Sequence, residues 1–225
     1  MIHHCCIAVV LFMSLVRTTS AEDLTIGTFG LQVDLLYEED FSSDLKGWEA
    51  EGRGKVWVEE GRLQMDASQV EMTAWCPFET EGDLLITYTA YVLSPADANN
   101  INMFFMATAP EGKDVLDLDL TGAYKEYHQL HNYIMTFTSG YTRLRRNPGF
   151  NLVSENQNVK ALAEIEYRVA ILLNENAIRC FINDIPVHSY TDESRYDQGR
   201  VAFRSWHTRL WWDDLKIYRV SAAKP

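Results

Sequence analysis

Between residues 35 and 220 the chain is a succession of short runs that either alternate apolar with polar or stay apolar for one strand's length, each closed by Gly, Asn, Asp or Pro. No stretch carries an apolar stripe at helical spacing over three turns. That pattern admits β-strands and little else. It predicts strands at 55–58, 62–65, 71–76, 83–93, 102–108, 131–138, 142–147, 164–173, 177–182, 187–190, 200–206 and 210–220. Glu60-Gly61, Ser139-Gly140 and Asn183-Asp184 lie between such runs, where tight hairpins need a positive φ or an Asx-type turn. A dozen strands are more than one open sheet carries without curling, so two sheets must stack, each burying one face. The expected fold is an all-β, two-sheet antiparallel sandwich of the jelly-roll kind. Two segments, 109–130 and 151–163, read as long polar connections, and a loop as long as the first is commonly functional.

The 225 residues are 47% apolar and 12% aromatic, enough for one sizeable core and unlike a disordered or fibrous chain. Residues 22–225 read as one domain, since all-β sandwiches often reach about 200–250 residues as a single unit. Residues 5–16 (CCIAVVLFMSLV) form an apolar run of signal-peptide length, followed by Arg17 and small residues ending at Ala21. Residues 1–21 are therefore expected to be a removed secretory signal, the run being shorter than the roughly 20 apolar residues of a membrane span. The expected location is secreted or periplasmic, with no membrane association after removal. Against 32 Asp and Glu stand 20 Lys and Arg, a net charge of −12 that repels nucleic-acid phosphates and anionic membranes. Nucleic acid is not an expected partner. Beyond the signal lie Cys76 and Cys180, both inside strand-like runs, where a buried free thiol is the commoner state.

Chemistry-bearing side chains concentrate from Tyr124 to Asn147: His128, His131, four Tyr and three Arg. If Ser139-Gly140 closes a two-residue turn, Tyr133 faces Arg146 across the hairpin, while Asn132, Thr136, Arg143, Arg145 and Asn147 share the other face. Arginine's planar fork suits a carboxylate or sulfate, and Tyr and His move protons near neutral pH when burial or a cation tunes them. Together they are the set that β-elimination from a uronic acid needs. A base takes the proton α to the carboxylate, and cations or amides stabilise the carbanion-like charge. The plainer alternative is that the arginines pair with surplus Asp and Glu on a solvated face. Trp75, Trp206 and Tyr127 offer flat faces for stacking on sugar rings, and of Trp211 and Trp212 only one can point inward from a strand. Glu164 and Glu166 make a weak glycosidase pair. His128-x-x-His131 lacks a third ligand, so no zinc site is expected, whereas Asp114, Asp117 and Asp119, or Asp213 and Asp214, leave a structural Ca²⁺ open. No cofactor is required.

Five motifs occur in a family's order: Trp75-Cys76-Pro77, Tyr124-x-x-Tyr127-His128, Leu144-Arg145-Arg146 followed by Gly149-Phe150-x-Leu152, the Phe181-Ile182-Asn183 turn, and Gly199 to Arg204 (GRVAFR). From residue 55 to 220 the chain thereby resembles the YesU-like domain-of-unknown-function family of the concanavalin A-like lectin/glucanase superfamily. Asp184 stands where that family's turn usually has Gly. The resemblance implies a concanavalin A-like jelly roll whose concave sheet receives a saccharide, and an association with the breakdown of uronate-containing polysaccharides. Fold alone does not give activity. The expected function is a carbohydrate-active protein working on anionic, uronic-acid oligo- or polysaccharide by β-elimination, as a lyase or dehydratase. A non-catalytic carbohydrate-binding module is the alternative, and a glycoside hydrolase comes after it. Expected catalytic groups are His128, His131 and Tyr133. Expected substrate contacts are Arg143, Arg145, Asn147, Tyr127, Trp75, Trp206 and Arg204.

Overall fold

The computed structural model describes residues 21–224, so the expected signal lies outside the described residues except for Ala21. In chain order the strands are β1 (Glu22–Ile26), β2 (Phe29–Glu39), β3 (Glu49–Gly52), β4 (Lys55–Glu59), β5 (Arg62–Asp66), β6 (Glu71–Glu81), β7 (Leu84–Val92) and β8 (Ile101–Thr108). After three short 3-10 turns come β9 (His131–Phe137), β10 (Thr142–Asn147), β11 (Asn151–Asn156), β12 (Glu166–Asn174), β13 (Ala177–Ile182), β14 (Ile185–Thr191), β15 (Gln198–Trp206) and β16 (Arg209–Lys224). They form two sheets. The back sheet runs β1-β2-β16-β7-β12-β13-β14, with β5 also on β16 and β4 on β5; the front sheet runs β11-β10-β9-β8-β15-β6-β3. The all-β antiparallel sandwich expected from the sequence is the fold observed.

Three of the strands that the pattern did not predict are rims. β1 and β3 end their sheets, and β11 ends the front sheet inside a segment expected to be a polar connection. An edge strand is held by one ladder and buries little, so its sequence (EDLTI, EAEG, NLVSEN) carries no strong apolar alternation.

The core follows the pleat. On β7, Leu84, Ile86, Tyr88, Ala90 and Val92 all point between the sheets. Trp212 from the back sheet stacks on Phe203 of the front sheet at 4.9 Å, and Phe203 stacks on Trp48 at 5.9 Å, which joins the two layers by aromatic contact. The pleat turns the preceding Trp211 outward, against Tyr91 at 5.2 Å and beneath the Arg62 guanidinium. Cys76 and Cys180 are buried free thiols, and burial pushes that of Cys76 up to about 12.

Each sheet also has a covered outer face. Leu24, Ile26 and Phe29 of the first hairpin pack on Leu85, Leu172 and Phe181 behind the back sheet. The segment 109–130 lies on the front sheet, burying Val115, Tyr127 and Leu130 against Trp75, Phe104, Ile134 and Ala202. Gly122 holds it there: at φ +86° its backbone passes so close to β3 that a Cβ would stand 2.5 Å from Gly52 Cα. This clamp covers one half of the front face and leaves the other open.

Candidate functional site

The open half is built by strand register. Thr73 on β6 faces Arg204 on β15, which faces Asn102 on β8; Asn102 faces Thr136 on β9, and Thr136 faces Arg143 on β10. Residues in register on adjacent strands point to one side, so polar side chains from five strands form a row on the outer face. Around the row is a groove of about 330 Å³. Its floor is Asn100, Asn102, Thr136 and Arg204, its walls are Tyr124 from the clamp and Tyr141, Arg145 and Phe150 from the β9–β11 ribbon, and Trp206 stands at its lip, 44% exposed.

The charges in the groove are only partly paired. Arg204, 2% exposed beneath the Tyr124 ring, is bonded to Glu71, and Arg143 donates to Glu155 at 2.5 Å. Arg145 has no carboxylate within 4.0 Å among the described residues; its guanidinium lies 3.7 Å from the Phe150 ring centre and donates to the Phe150 carbonyl at 3.1 Å. Three cations against Glu71 and Glu155 leave one positive charge. Burial dominates a downward shift of the Arg145 pKa, the mark of a guanidinium that is short of both water and counter-charge. Burial also keeps the Tyr124 phenol protonated, despite the pull of Arg204 and Arg145.

Of the residues expected in the site, Arg143, Arg145, Arg204 and Trp206 line the groove. His128 stands one layer behind, stacked 3.9 Å from Phe150 and edge-on to Tyr124 at 4.7 Å, with Nε2 buried and unpartnered. Burial first, then Arg145, Arg204 and Lys125, lower its pKa, so the imidazole is neutral at neutral pH. The others are elsewhere. The expected register is met, with Tyr133 opposite Arg146, and it sends Tyr133 to the inner face. There Tyr133 is fully buried and donates to Asp192 at 2.6 Å, alongside Arg146 at 2.6 Å. His131 stacks on Tyr196 at 5.4 Å, away from the groove. The expected convergence of His131 and Tyr133 with the arginines is thus corrected by the two-residue period of β9.

Trp75 is fully buried beneath the clamp and Tyr127 within it, Tyr127 donating to Glu51 at 2.6 Å, and neither offers a face to a sugar. Asn147 is consumed internally: Nδ2 donates to Asn132 Oδ1 at 2.9 Å and Oδ1 accepts from the Phe150 amide at 2.7 Å. Glu71, Asn100, Asn102, Tyr141 and Phe150 were not expected in the site. Asn102 carries the clearest signal, a polar amide inside an otherwise apolar strand (INMFFMAT).

A second hollow of about 300 Å³ lies by Arg200. That arginine is held by Asp114 and by the Pro77 carbonyl at 2.6 Å, and none of the buried unpartnered side-chain atoms of the described residues lines it. Asp114 is therefore spoken for, Asp213 stands by Arg62 and Asp214 by Lys216, and no three His, Cys, Asp or Glu among the described residues are grouped to hold a metal. Among the same residues no helix is long and apolar enough to cross a membrane.

Residues 34–209, which contain the whole groove, match the family model described as Domain of unknown function (DUF1961). The chain belongs to this family. It is 27% identical over 189 residues to the uncharacterized protein YesU of Bacillus subtilis (strain 168), a match covering 72% of this chain and 84% of that one. Among solved structures, a Bacillus subtilis protein of unknown function with a galectin-like fold is similar at a TM-score of 0.74 and 19% identity, over 83% of this chain and 96% of that one. The carbohydrate-binding module CBM66 from Bacillus subtilis is similar at a TM-score of 0.56 and 9% identity, over 75% and 93%. These likenesses show the lectin-like sandwich that the resemblance implied.

Proposed function

We propose that the protein binds an acidic saccharide in the front-sheet groove, outside the cytoplasm if residues 1–21 are removed as a secretory signal. The observation that carries this reading is Arg145, a cation without a carboxylate partner among the described residues, in a hollow with an exposed indole at its lip. Trp206 presents a flat apolar face of the kind that stacks on a pyranose, and the Arg145 fork suits a uronate carboxylate. The likeness to a carbohydrate-binding module supports a sugar ligand. Titrating the protein with glucuronate, galacturonate and glucose oligosaccharides, followed by calorimetry and Trp fluorescence, tests it. Acidic oligosaccharides are expected to bind and Trp206→Ala to weaken them; equal affinity for the neutral oligomers would overturn the reading.

β-Elimination is the second reading, favoured by one observation: His128 is a neutral, base-competent imidazole close to two arginines. Against it, Phe150 and Tyr124 stand between His128 and the groove, and the Tyr124 phenol is held protonated. A base must come within hydrogen-bond reach of the proton it removes. Binding therefore fits the geometry better than turnover. Growth of unsaturated-uronate absorbance that His128→Ala abolishes would reverse that order.

A further inference from the structure

Two buried polar atoms of the groove floor have opposite and unmet needs. Arg204 uses Nη2 for Glu71, and its Nε, which can only donate, has no partner among the described residues. Asn102 uses Nδ2 to donate to Asn100 Oδ1 at 2.8 Å, and its Oδ1, which can only accept, has none among the same residues. Both residues are 2% exposed, and they face each other across β15 and β8. Thr136, next in the row, adds an unpartnered hydroxyl able to do either. All three line the groove.

We infer that the floor reads free hydroxyl groups: Arg204 Nε donates to one oxygen of the bound sugar while Asn102 Oδ1 accepts the proton of a neighbouring hydroxyl. The ligand is then an acidic sugar with a free hydroxyl facing Asn102 and an accepting oxygen next to it facing Arg204. The inference rests on the groove being a saccharide site. It deepens that reading because a carboxylate or sulfate, which only accepts, satisfies Arg204 and repels Asn102 Oδ1. An ether or ester oxygen likewise has no proton to give. Adjacent strands lie about 4.8 Å apart, close enough for one sugar ring to span both. The acid group goes to Arg145 at the wall, and the free hydroxyl with its neighbouring oxygen goes to the floor. Specificity of this kind is strong because a buried site left with an unpaired acceptor loses the bond and keeps the desolvation cost.

The test uses the full chain and two series of probes, the methyl glycosides of glucuronate and galacturonate and their mono-O-methyl ethers, titrated by calorimetry or by NMR shifts. At least one ether is expected to bind about tenfold more weakly than its parent, the scale of one lost hydrogen bond with its acceptor left unpaired. Asn102→Ala should weaken the parent to the level of that ether and leave the ether unchanged, whereas Asn102→Asp keeps an acceptor and should keep the discrimination. If Asn102→Ala does not fold, the comparison of parent and ether on the unaltered chain still decides. Parents and all ethers binding equally would overturn this inference and leave the acidic-saccharide reading standing. No binding of any acidic sugar would overturn both.

Discussion

Protonating one histidine should loosen the edge that carries the groove's arginines. His188 on β14 is 3% exposed, with Nδ1 2.9 Å from Ser154 Oγ of β11, where the two sheets meet at their rims. Its Nε2 is buried without a partner, and burial lowers its pKa from 6.5 to about 4. The native state refuses a proton that the unfolded chain accepts below pH 6.5, so stability falls as pH drops through the interval between the two values. Linkage gives a loss of about 2 kcal/mol at pH 5 relative to pH 7, and about 3 kcal/mol at pH 4. Carboxylates act below that window: Asp114, held low by Arg200, keeps its stabilisation throughout it and loses it as pH falls below the usual carboxylate value. Urea midpoints at pH 7 and pH 5 for the wild type and His188→Gln measure the effect. The variant starts less stable, but its drop between the two pH values should be smaller by about 2 kcal/mol. An identical drop in both proteins would refute the argument. His128, also shifted down by burial, is present in both and cancels.

Two substitutions test the division between scaffold and site. Tyr133→Phe removes the bond to Asp192 and should cost about 1–3 kcal/mol in a denaturation experiment, with saccharide affinity unchanged because the phenol faces the core. Gly122→Ala places a Cβ 2.5 Å from Gly52 Cα, so the clamp must shift; stability should fall by at least about 1 kcal/mol, and affinity should fall with it because Tyr124 is a wall of the groove.

The sandwich was legible in the sequence because strands such as β7 and β12 are long, apolar and bounded by turn residues, and one Ser139-Gly140 turn fixed the register of β9 against β10. That register also separated the site correctly into two faces. Which face was open was not legible. The clamp's own Val115 and Tyr127 cover Trp75 of β6, which is distant from both in sequence, and local patterning does not report such packing. Arg145 and Arg146 differ in the same way: they are adjacent in sequence, yet Arg146 finds Asp192 from a loop 46 residues on while Arg145 finds no acid among the described residues. Asn147 looked like a ligand donor and is a turn brace, because the amide that it holds, that of Phe150, belongs to the β10–β11 turn that only the fold completes.

The claim at the centre is that Arg145 holds the acid group of the ligand. Its most direct measurement is a cycle of four affinities: wild type and Arg145→Met, each titrated with a glucuronate oligosaccharide and with the same oligosaccharide after reduction of its carboxyl groups. The wild type should prefer the acidic form by about tenfold to a hundredfold, the scale of a charge-assisted hydrogen bond, and Arg145→Met should bind both forms alike. A preference that survives the loss of Arg145 would contradict the account.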